Sequence, residues 1–472
     1  MLDTILLFNQ WAILVYFLIL NTFYAVLLLA AGRYQRWKKR VSWYQDLQRL
    51  LGSRIAPTLS VLAPAYNEQA TVSQSVRALL TLQYPNLEVV VINDGSSDET
   101  LELLTKDFSL EPASVIHFRR LESADVKSIY RSRTFPELLV VDKENGGKAD
   151  SLNAGLDVAA GELVCAIDAD TLIEPDALLK MVQPFLLRND VIATGGTLRV
   201  VNGSEVRDGR VVNARVPTNP LAGCQTVEYL RAFLFGRMGW NMMGGNLIIS
   251  GAFGLFRRES VLEAGGYMHD SVGEDMELVV RMRRTAIDRG MPHQVISIPD
   301  PVAWTEVPES LRALGRQRDR WHRGLSDVMW RFRGMFFRPR YGTVGMVVVP
   351  FFLLVELLGP VIEAIGLIGL GLALLLGVVN WQFALLFFLV AYGYGLLLNM
   401  FTLLLADLGE RRYPRLADRA RLVMWMVIES LVYRPVTVVW RLKGIWGYLR
   451  GKKEWGAMTR RGFDVSSSNP VD

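Results

Sequence analysis

Residues 163–170 read Leu163-Val164-Cys165-Ala166-Ile167-Asp168-Ala169-Asp170, an apolar run that ends in two carboxylates separated by one alanine. Five consecutive apolar residues are typical of a strand that is buried on both faces, as in the sheet of an α/β domain. Ligands of such sheets bind at the carboxyl ends of the strands. Because residues i and i+2 of an extended segment point to the same side, we expect Asp168 and Asp170 to face one ligand.

Two neighbouring carboxylates repel each other unless a cation lies between them. Carboxylate oxygens are preferred ligands of Mg²⁺ and Mn²⁺, and these ions commonly bridge to the phosphates of a nucleotide. We therefore expect Asp168 and Asp170 to bind Mg²⁺ or Mn²⁺. A single Asp-x-Asp is more often a solvated loop, so the prediction depends on the motifs elsewhere in the chain.

The composition predicts a soluble domain joined to membrane helices. Of 472 residues, 51% are hydrophobic and 21% are charged, which is too apolar for an ordinary soluble protein and too charged for a pure membrane bundle. The two cysteines, Cys165 and Cys224, exclude a disulfide framework. The net charge of +5 is modest and fits membrane topology and phosphate ligands, so we expect no nucleic-acid partner.

Residues 11–31 form an almost wholly apolar stretch, about the ~20 residues that a membrane-spanning helix needs. No positive charge precedes it, whereas basic residues are frequent from Arg33 to Arg40. This distribution argues against a signal peptide. It predicts an external amino terminus and a cytoplasmic domain after the helix, in a multi-pass protein of the plasma (inner) membrane.

Apolar runs and amphipathic segments alternate after this helix, as is typical of βαβ units. Strands are expected over residues 59–65, 87–92, 138–141 and 191–201. Helices are expected over residues 71–82, 100–106 and 219–238, and from the end of the segment 143–150 to residue 159. Residues 107–137 have no firm periodicity, and we expect an insertion or a long loop there.

The remaining apolar segments predict further membrane helices. Residues 341–379 suggest a short interfacial piece followed by one span, and residues 383–406 suggest a return span. Residues 423–432 and 436–449, separated by Arg434-Pro435, predict a re-entrant or interfacial hairpin, or two tilted spans. The expected domains are residues 1–40 (first membrane helix and basic flank), 41–330 (α/β domain), 331–455 (membrane and interfacial helices) and 456–472 (disordered tail).

Several motifs place reactive groups after the predicted strands. Gly146-Gly147-Lys148 allows close approach of the backbone to a ligand and supplies a point charge for phosphate. Glu274-Asp275 opens a predicted helix, where an acid is often only a cap. Gln317, Arg320 and Trp321 share one face of a later helix. Each motif has an ordinary structural explanation when it is taken alone.

Taken together and in this order, the motifs resemble those of the family 2 glycosyltransferases. The matching residues are Tyr66-Asn67-Glu68, Asp94-Gly95, Gly147-Lys148, Asp168-x-Asp170, Glu274-Asp275 and Gln317-x-x-Arg320-Trp321. The layout is similar to the membrane-embedded branch that contains the processive cellulose, hyaluronan, chitin and poly-N-acetylglucosamine synthases. The motifs cover roughly residues 55 to 330. The resemblance implies a single α/β nucleotide-sugar domain of the GT-A type with flanking transmembrane and interfacial helices.

The resemblance also implies roles for the motif residues. Asp94 would hold the uracil of a UDP-sugar, with Tyr66, Glu68 and Lys148 around the nucleotide. Asp168 and Asp170 would contact the ribose and bind the metal. Asp275, next to Glu274, would be the general base on the acceptor hydroxyl. Trp321 would stack on the acceptor sugar, and Gln317 and Arg320 would line the diphosphate and the acceptor.

The chemistry implied is an inverting, metal-dependent hexosyltransferase reaction that extends a β-linked polysaccharide and extrudes it through the membrane helices. Two alternatives remain open at this stage: a transferase that adds one sugar to a lipid, and an inactive nucleotide-sugar-binding subunit of an export complex. The expected partners are a UDP-sugar, a polysaccharide or glycolipid acceptor and the lipid bilayer, with an accessory export subunit left open. Glu356, Glu363 and Glu429 are expected either to line a sugar path or to join helices.

Overall fold

The computed structural model describes residues 2–40, 56–115, 118–168, 171–207, 209–409 and 413–452. The predicted metal ligand Asp170, the basic residues Arg411 and Arg412 and the tail 456–472 lie outside these ranges.

The helices of the described chain are α1 (Leu2–Arg40), α2 (Val72–Leu80), α3 (Thr100–Phe108), α4 (Lys148–Val158), α5 (Ala177–Leu187), α6 (Pro220–Leu230), α7 (Met238–Asn241), α8 (Arg258–Glu263), α9 (Glu274–Asp288), α10 (Leu311–Arg331), α11 (Val344–Leu357), α12 (Gly359–Leu375), α13 (Trp381–Leu405) and α14 (Leu416–Leu449). The strands are β1 (Leu59–Ala65), β2 (Leu87–Asp94), β3 (Leu110–Pro112), β4 (Val126–Ser132), β5 (Leu138–Lys143), β6 (Leu163–Ile167), β7 (Leu172–Ile173), β8 (Val191–Val200), β9 (Glu205–Arg207), β10 (Arg210–Asn213), β11 (Phe253–Arg257) and β12 (Gln294–Thr305).

The main sheet of the described chain has ten strands in the order β3-β4-β5-β2-β1-β6-β11-β8-β12-β7. Strands β5, β2, β1 and β6 are parallel, so their carboxyl ends lie at one edge. Side chains of β1 alternate between two apolar layers, with Val61 in one and Leu62 in the other. The mixed α/β sheet predicted from the apolar runs is therefore confirmed, including the strand that ends at Ile167.

Strand β11 is antiparallel to both of its neighbours, β6 and β8. Its first residue, Phe253, pairs with Ile167 at the end of β6. The loop before β11 therefore lies beside the residues that follow β6. The backbone N–H of Asp168 donates a hydrogen bond to the carbonyl of Ala252 at 3.2 Å.

Residues 107–137 do not form a long loop, which was one of the two alternatives expected there. Strands β3 and β4 form within this segment, and β4 pairs antiparallel with β5, so they extend the sheet at its edge. The alternation of buried and exposed residues is weak in β4, where Ile129 is buried and Lys127 is exposed. Strand β4 lies between β5 and the three-residue edge strand β3, where the sheet is only partly covered, and its apolar pattern is correspondingly faint.

Three described helices are long and apolar enough to cross a membrane: Phe8–Arg36 within α1, α13 and α14. Helices α11 and α12 pass the same test as a pair, with a bend of 40° between them, so the described chain has up to four candidate spans if the pair counts as one. The break falls at Leu358, and Pro360 occupies the first turn of α12, where the missing N–H costs little.

The predicted break at Arg434-Pro435 is absent, because α14 continues from Leu416 to Leu449. A π-helical turn, Glu429–Tyr433, ends two residues before Pro435. Such a turn already departs from the i to i−4 hydrogen-bond pattern, so the proline is accommodated without ending the helix. Two short hydrophobic pieces are thus one long helix.

Helix α14 packs along the α/β part of the chain over most of its length. The indole N–H of Trp425 donates to the carbonyl of Pro217 at 3.0 Å. Near the other end, Gly444 lies against the backbone of Asp319 in α10. A glycine is needed there, since a Cβ atom at position 444 would lie 2.6 Å from the Asp319 carbonyl oxygen.

We predict that Gly444→Ala weakens the contact between α14 and α10 because the added methyl group meets backbone atoms, which cannot move aside. The expected loss is about 1–3 kcal/mol, as for other overpacked sites. It is measured as a lower midpoint of thermal unfolding in detergent. The matched control is Gly371→Ala, because a Cβ atom at that helical position meets nothing within 4 Å. Equal midpoints for the two variants would contradict this account of the contact.

Candidate active site

A single cavity of about 1330 Å³ connects the carboxyl edge of the sheet with the membrane helices. Its wall on the sheet side includes Lys148, Asp168, Glu274 and Asp275, and α10 contributes Gln317, Arg320 and Trp321. Seven of the residues singled out in the sequence thus share one cavity, although they are spread over 174 positions of the chain from 148 to 321.

The Gly146-Gly147 turn is built around a buried carboxylate, that of Asp94. Its Oδ1 accepts hydrogen bonds from Lys143 Nζ at 2.6 Å and from the Gly146 N–H at 3.0 Å. Its Oδ2 accepts from the Gly147 N–H at 2.8 Å. Gly147 has a φ of 88°, which favours glycine. Asp94 therefore holds the loop that presents Lys148.

The contact with uracil that the resemblance implies for Asp94 stays a prediction. The residue is 3% exposed, and its carboxylate turns into the loop rather than into the cavity. Lys143 Nζ also lies 2.6 Å from Asp150 Oδ1, so one wholly buried cation joins two buried carboxylates.

Lys148 joins the end of β6 to the start of α9. Its Nζ lies 2.6 Å from Asp168 Oδ1 and 3.2 Å from Glu274 Oε1. Burial lowers the pKa of the Lys148 amine, but attraction to the two carboxylates outweighs this effect, and the pKa is raised. Burial raises the pKa of the Glu274 carboxyl despite the nearby ammonium group. The lysine stays charged and provides the positive charge of this wall.

Asp275 follows Glu274 in the first turn of α9 and forms part of the same wall. Its Oδ2 accepts from the Gly251 N–H at 3.2 Å, and its Oδ1 accepts from the Met276 N–H at 2.8 Å. A Cβ atom at Gly251 would lie 3.7 Å from Lys148 Nζ and 3.6 Å from Asp275 Oδ2. The loop before β11 thus brings the carboxylate and the ammonium group close together.

Asp168 supplies one donor of the kind preferred by the divalent metal that is expected at Asp168 and Asp170. Asp168 lines the cavity, and its Oδ2 has no hydrogen bond within the described ranges. Asp170 is not among the described residues, and those that are described contain no group of three or more His, Cys, Asp or Glu side chains arranged to hold a metal. A hard carboxylate oxygen is thus available at Asp168.

Helix α10 carries Gln317, Arg320 and Trp321, which also line the cavity. Gln317 is 9% exposed, whereas Trp321 is 42% exposed although it is a large aromatic residue. Burial lowers the pKa of Arg320, and the carboxylates of Asp168 and Asp275 oppose this effect. A cation and an exposed indole therefore line the same cavity as the carboxylates.

Tyr66 and Glu68 follow β1 at the same edge but lie outside the cavity wall. The Tyr66 side chain is 52% exposed. Glu68 accepts a hydrogen bond from the Thr71 hydroxyl at 2.8 Å. The edge above β1 is thus open to solvent, with an exposed aromatic ring available to a planar ligand.

The cavity continues between the membrane helices, where acidic and basic side chains line it in pairs. Glu363 accepts from Arg434 at 2.6 Å, and Glu429 accepts from Arg231 at 2.8 and 3.0 Å. Glu356 lies 4.0 Å from Arg441. The three glutamates therefore join helices and line the cavity at once, so the two alternatives for them do not exclude each other.

Some residues of this site were missed in the sequence. Lys143 ends an apolar strand, and its two carboxylate partners lie 49 and 7 positions away. Arg231 precedes its partner Glu429 by 198 positions. A charged residue inside an apolar segment is the only signal that the sequence offered for them, because their partners are set by the tertiary fold.

The mixed sheet, with its cavity at the carboxyl edge, is the GT-A fold of glycosyltransferases. Among solved structures, it is similar to the mannosyltransferase PcManGT from Pyrobaculum calidifontis in complex with GDP-Man and Mn²⁺, with a TM-score of 0.52. The match covers 91% of this chain and 99% of that chain at 19% identity, and it supports the fold alone.

The chain belongs to the family described as glycosyltransferase like family 2, whose model matches residues 56–324. Its relatives include poly-beta-1,6-N-acetyl-D-glucosamine synthases of Staphylococcus epidermidis, at 30% identity, and of Staphylococcus aureus (strain COL), at 29%. Each match spans 274 residues, 58% of this chain and 56% of the relative. The chain thus spans about half the length of these curated relatives.

We predict that Lys143→Met destabilises the protein strongly because it leaves the carboxylates of Asp94 and Asp150 buried without their cation. Breaking a buried ion pair from one side costs about 3–5 kcal/mol. The control is Lys127→Met, since Lys127 and Glu144 form an exposed pair at 3.2 Å. Such pairs contribute only about 0–1 kcal/mol. The account of Lys143 is wrong if both variants unfold at the same temperature in detergent.

Proposed function

We propose that this protein is a processive polysaccharide synthase that transfers sugar from a UDP-sugar to a growing β-linked chain and passes that chain through its membrane helices. The observation that carries the proposal is the continuous cavity, which joins the carboxylates at the sheet edge to the paired charges of the membrane helices. The proposal agrees with the relatives, which are named as poly-beta-1,6-N-acetyl-D-glucosamine synthases. UDP-N-acetylglucosamine is therefore the first donor to test.

The donor binds at the carboxyl edge of β1, β2, β5 and β6 in this proposal. The exposed Tyr66 ring offers a surface for the base, and Glu68 lies beside it on the same edge. Lys148 provides positive charge for the diphosphate. Asp94, which binds the N–H groups of the Gly146-Gly147 turn, lies at this edge and holds the uracil in the proposal.

The acceptor hydroxyl is activated by Asp275. A carboxylate is a suitable base when it lies within hydrogen-bond reach of the proton that it accepts. Asp275 faces the cavity from a helix start, and its oxygens are oriented by two backbone N–H groups. One displacement at the anomeric carbon inverts its configuration, so an α-linked donor gives a β-linked product.

The leaving diphosphate needs positive charge around it. Lys148 and Arg320 both line the cavity and provide cations for it. A bound Mg²⁺ or Mn²⁺, held by Asp168 and Asp170, would neutralise further negative charge as the diphosphate departs. Glu274 holds Lys148 in place from the side of α9.

The product then enters the membrane part of the cavity. Its wall contains Trp381 and Tyr392, whose flat rings pack well against the apolar faces of pyranoses. The nearby Tyr394 packs against buried apolar side chains and is not part of this wall. The paired glutamates and arginines provide hydrogen-bonding groups to hydroxyls, with their charges neutralised by each other.

The domain boundaries follow from these roles. Residues 41–330 supply the catalytic domain, and residues 331–455 supply the membrane and interfacial helices. We propose that α14 lies along the membrane surface rather than across the bilayer, because it contacts α/β residues near both of its ends. With α1, the α11–α12 pair and α13 as spans, an external amino terminus leaves the catalytic domain in the cytoplasm.

The experiment that tests the function is a screen of UDP-sugars with the purified protein in detergent. Released UDP and product mass are measured together. The proposal requires UDP release with one donor and a ladder of long oligosaccharides. A product of one or two sugars on lipid would make the protein a single-addition transferase, and no UDP release with any donor would favour a binding subunit.

We predict that Asp275→Asn loses transfer but still binds the donor, because an amide cannot accept the proton. The loss is expected to be about 10²–10⁴-fold. Donor binding is measured by calorimetry and transfer by UDP release. Glu259→Gln is the control, since Glu259 is an exposed acid on α8 that pairs with Arg120 at 3.3 Å. A variant Asp275→Asn that transfers sugar at the normal rate would exclude this base.

We predict that Asp170→Asn reduces activity on the order of 10²-fold or more, since a hard anionic metal ligand is replaced by an amide. Excess EDTA should have the same effect, and added Mn²⁺ or Mg²⁺ should reverse it. The thermal midpoint should stay that of the unchanged protein. Full turnover in EDTA would show that the metal assignment is wrong.

We predict that single cysteines react as the proposed topology requires, in a variant in which Cys165 and Cys224 are replaced. Cysteines at Asp3 and at Asn380 should react with an impermeant thiol reagent added outside sealed cells. A cysteine at Ser151, in the catalytic domain, should react only after the cells are opened. Labelling of position 151 in sealed cells would reverse the proposed orientation.

A further inference from the structure

We propose that Glu228, Arg318 and Tyr433 form a positioning network that fixes the Trp321 ring for the acceptor and so determines how long the growing chain is held. The inference rests on the proposed function, because it concerns the acceptor end of the same cavity. It assigns roles to three residues outside the set that the sequence motifs pointed to. All three line the cavity together with Trp321.

The centre of the network is the guanidinium group of Arg318. Its Nη1 and Nη2 donate to the two carboxylate oxygens of Glu228, both at 2.7 Å. Nη2 also donates to the Tyr433 hydroxyl at 3.0 Å, and that hydroxyl donates to Glu228 Oε2 at 3.1 Å. The Arg318 side chain is 7% exposed. A bidentate pair closed by a third group holds the plane of the guanidinium in one orientation.

This fixed plane lies against the indole of Trp321. The Arg318 Cζ atom is 4.5 Å from the ring centroid, which is the geometry of a cation–π contact. One face of the indole is therefore covered by the guanidinium. Because Trp321 is 42% exposed and lines the cavity, its uncovered side is available to a pyranose. The network thus acts on the acceptor through the orientation of this ring.

The network joins three separate parts of the chain. Glu228 lies in α6, Arg318 in α10 and Tyr433 in the π-helical turn of α14. The residue after Tyr433, Arg434, pairs with Glu363 of α12 in the membrane part of the cavity. The orientation of the acceptor platform is therefore set by the same helix that lines the path of the product.

The variant Tyr433→Phe tests the network because it removes one hydroxyl and keeps the packing of the ring. Losing this hydrogen-bonded group should shorten the mean product about fivefold, while the KM for the UDP-sugar stays within about twofold. Arg318→Lys, which keeps the charge but not the bidentate, stacked geometry, should shorten the product at least as much. Tyr448→Phe is the control, since its hydroxyl has no hydrogen bond to the described part of the chain and lies outside the cavity wall.

A double-mutant cycle separates positioning from general loss of structure. If the network acts through Trp321, Tyr433→Phe should have no further effect on UDP release or product length in a Trp321→Ala background. Additive effects in that background would overturn the inference, as would equal product lengths for Tyr433→Phe and the unchanged protein. If Tyr433→Phe does not fold, Glu228→Gln takes its place in the same cycle. The unchanged protein is measured in parallel, so that failure of polymerisation itself is seen separately.

Discussion

The site depends on the neutralisation of carboxylates that the fold crowds together at one edge of a sheet. Lys148 lies between Asp168 and Glu274, and Lys143 lies between Asp94 and Asp150. A buried carboxylate without a cation is strongly destabilising, so each lysine fixes the positions of two chain segments at once. Lys143 and Asp94 together hold the Gly146-Gly147 turn. Lys148 faces the cavity, where its charge stabilises the folded structure and can also bind a negatively charged ligand.

The same principle extends into the membrane part of the cavity. Charged residues in an apolar segment are costly unless they pair, and Glu363 and Glu429 each pair with an arginine from another helix. These pairs join the helices, and they leave a polar wall with little net charge. A chain of neutral sugars would find hydrogen-bonding groups there without meeting an unpaired ion. Joining the helices and lining the path are therefore two consequences of one arrangement.

The sequence predicted those features that depend on local patterns. The apolar run 163–167, the parallel strands and the carboxylates after β6 follow from burial and from the direction of the strands. Strands β3 and β4 were not predicted because they lie at the periphery of the sheet and alternate weakly. The continuity of α14 was not predicted because a π-helical turn precedes Pro435 and accommodates it. Long-range partners, such as Glu228 for Arg318, leave no mark in a single sequence. The inward orientation of Asp94 also depends on a partner, Lys143, that only the fold supplies.

The central claim is that polymer synthesis and passage through the membrane occur in one chain. It is tested most directly with the purified protein in sealed vesicles, with the catalytic domain facing outward. UDP-N-acetylglucosamine and Mg²⁺ or Mn²⁺ are supplied outside, and a hydrolase that cleaves the product is added outside or trapped inside. The account predicts long product that the outer enzyme does not cleave and the trapped enzyme does. Long product that is cleaved only from the outside would contradict passage through the membrane helices.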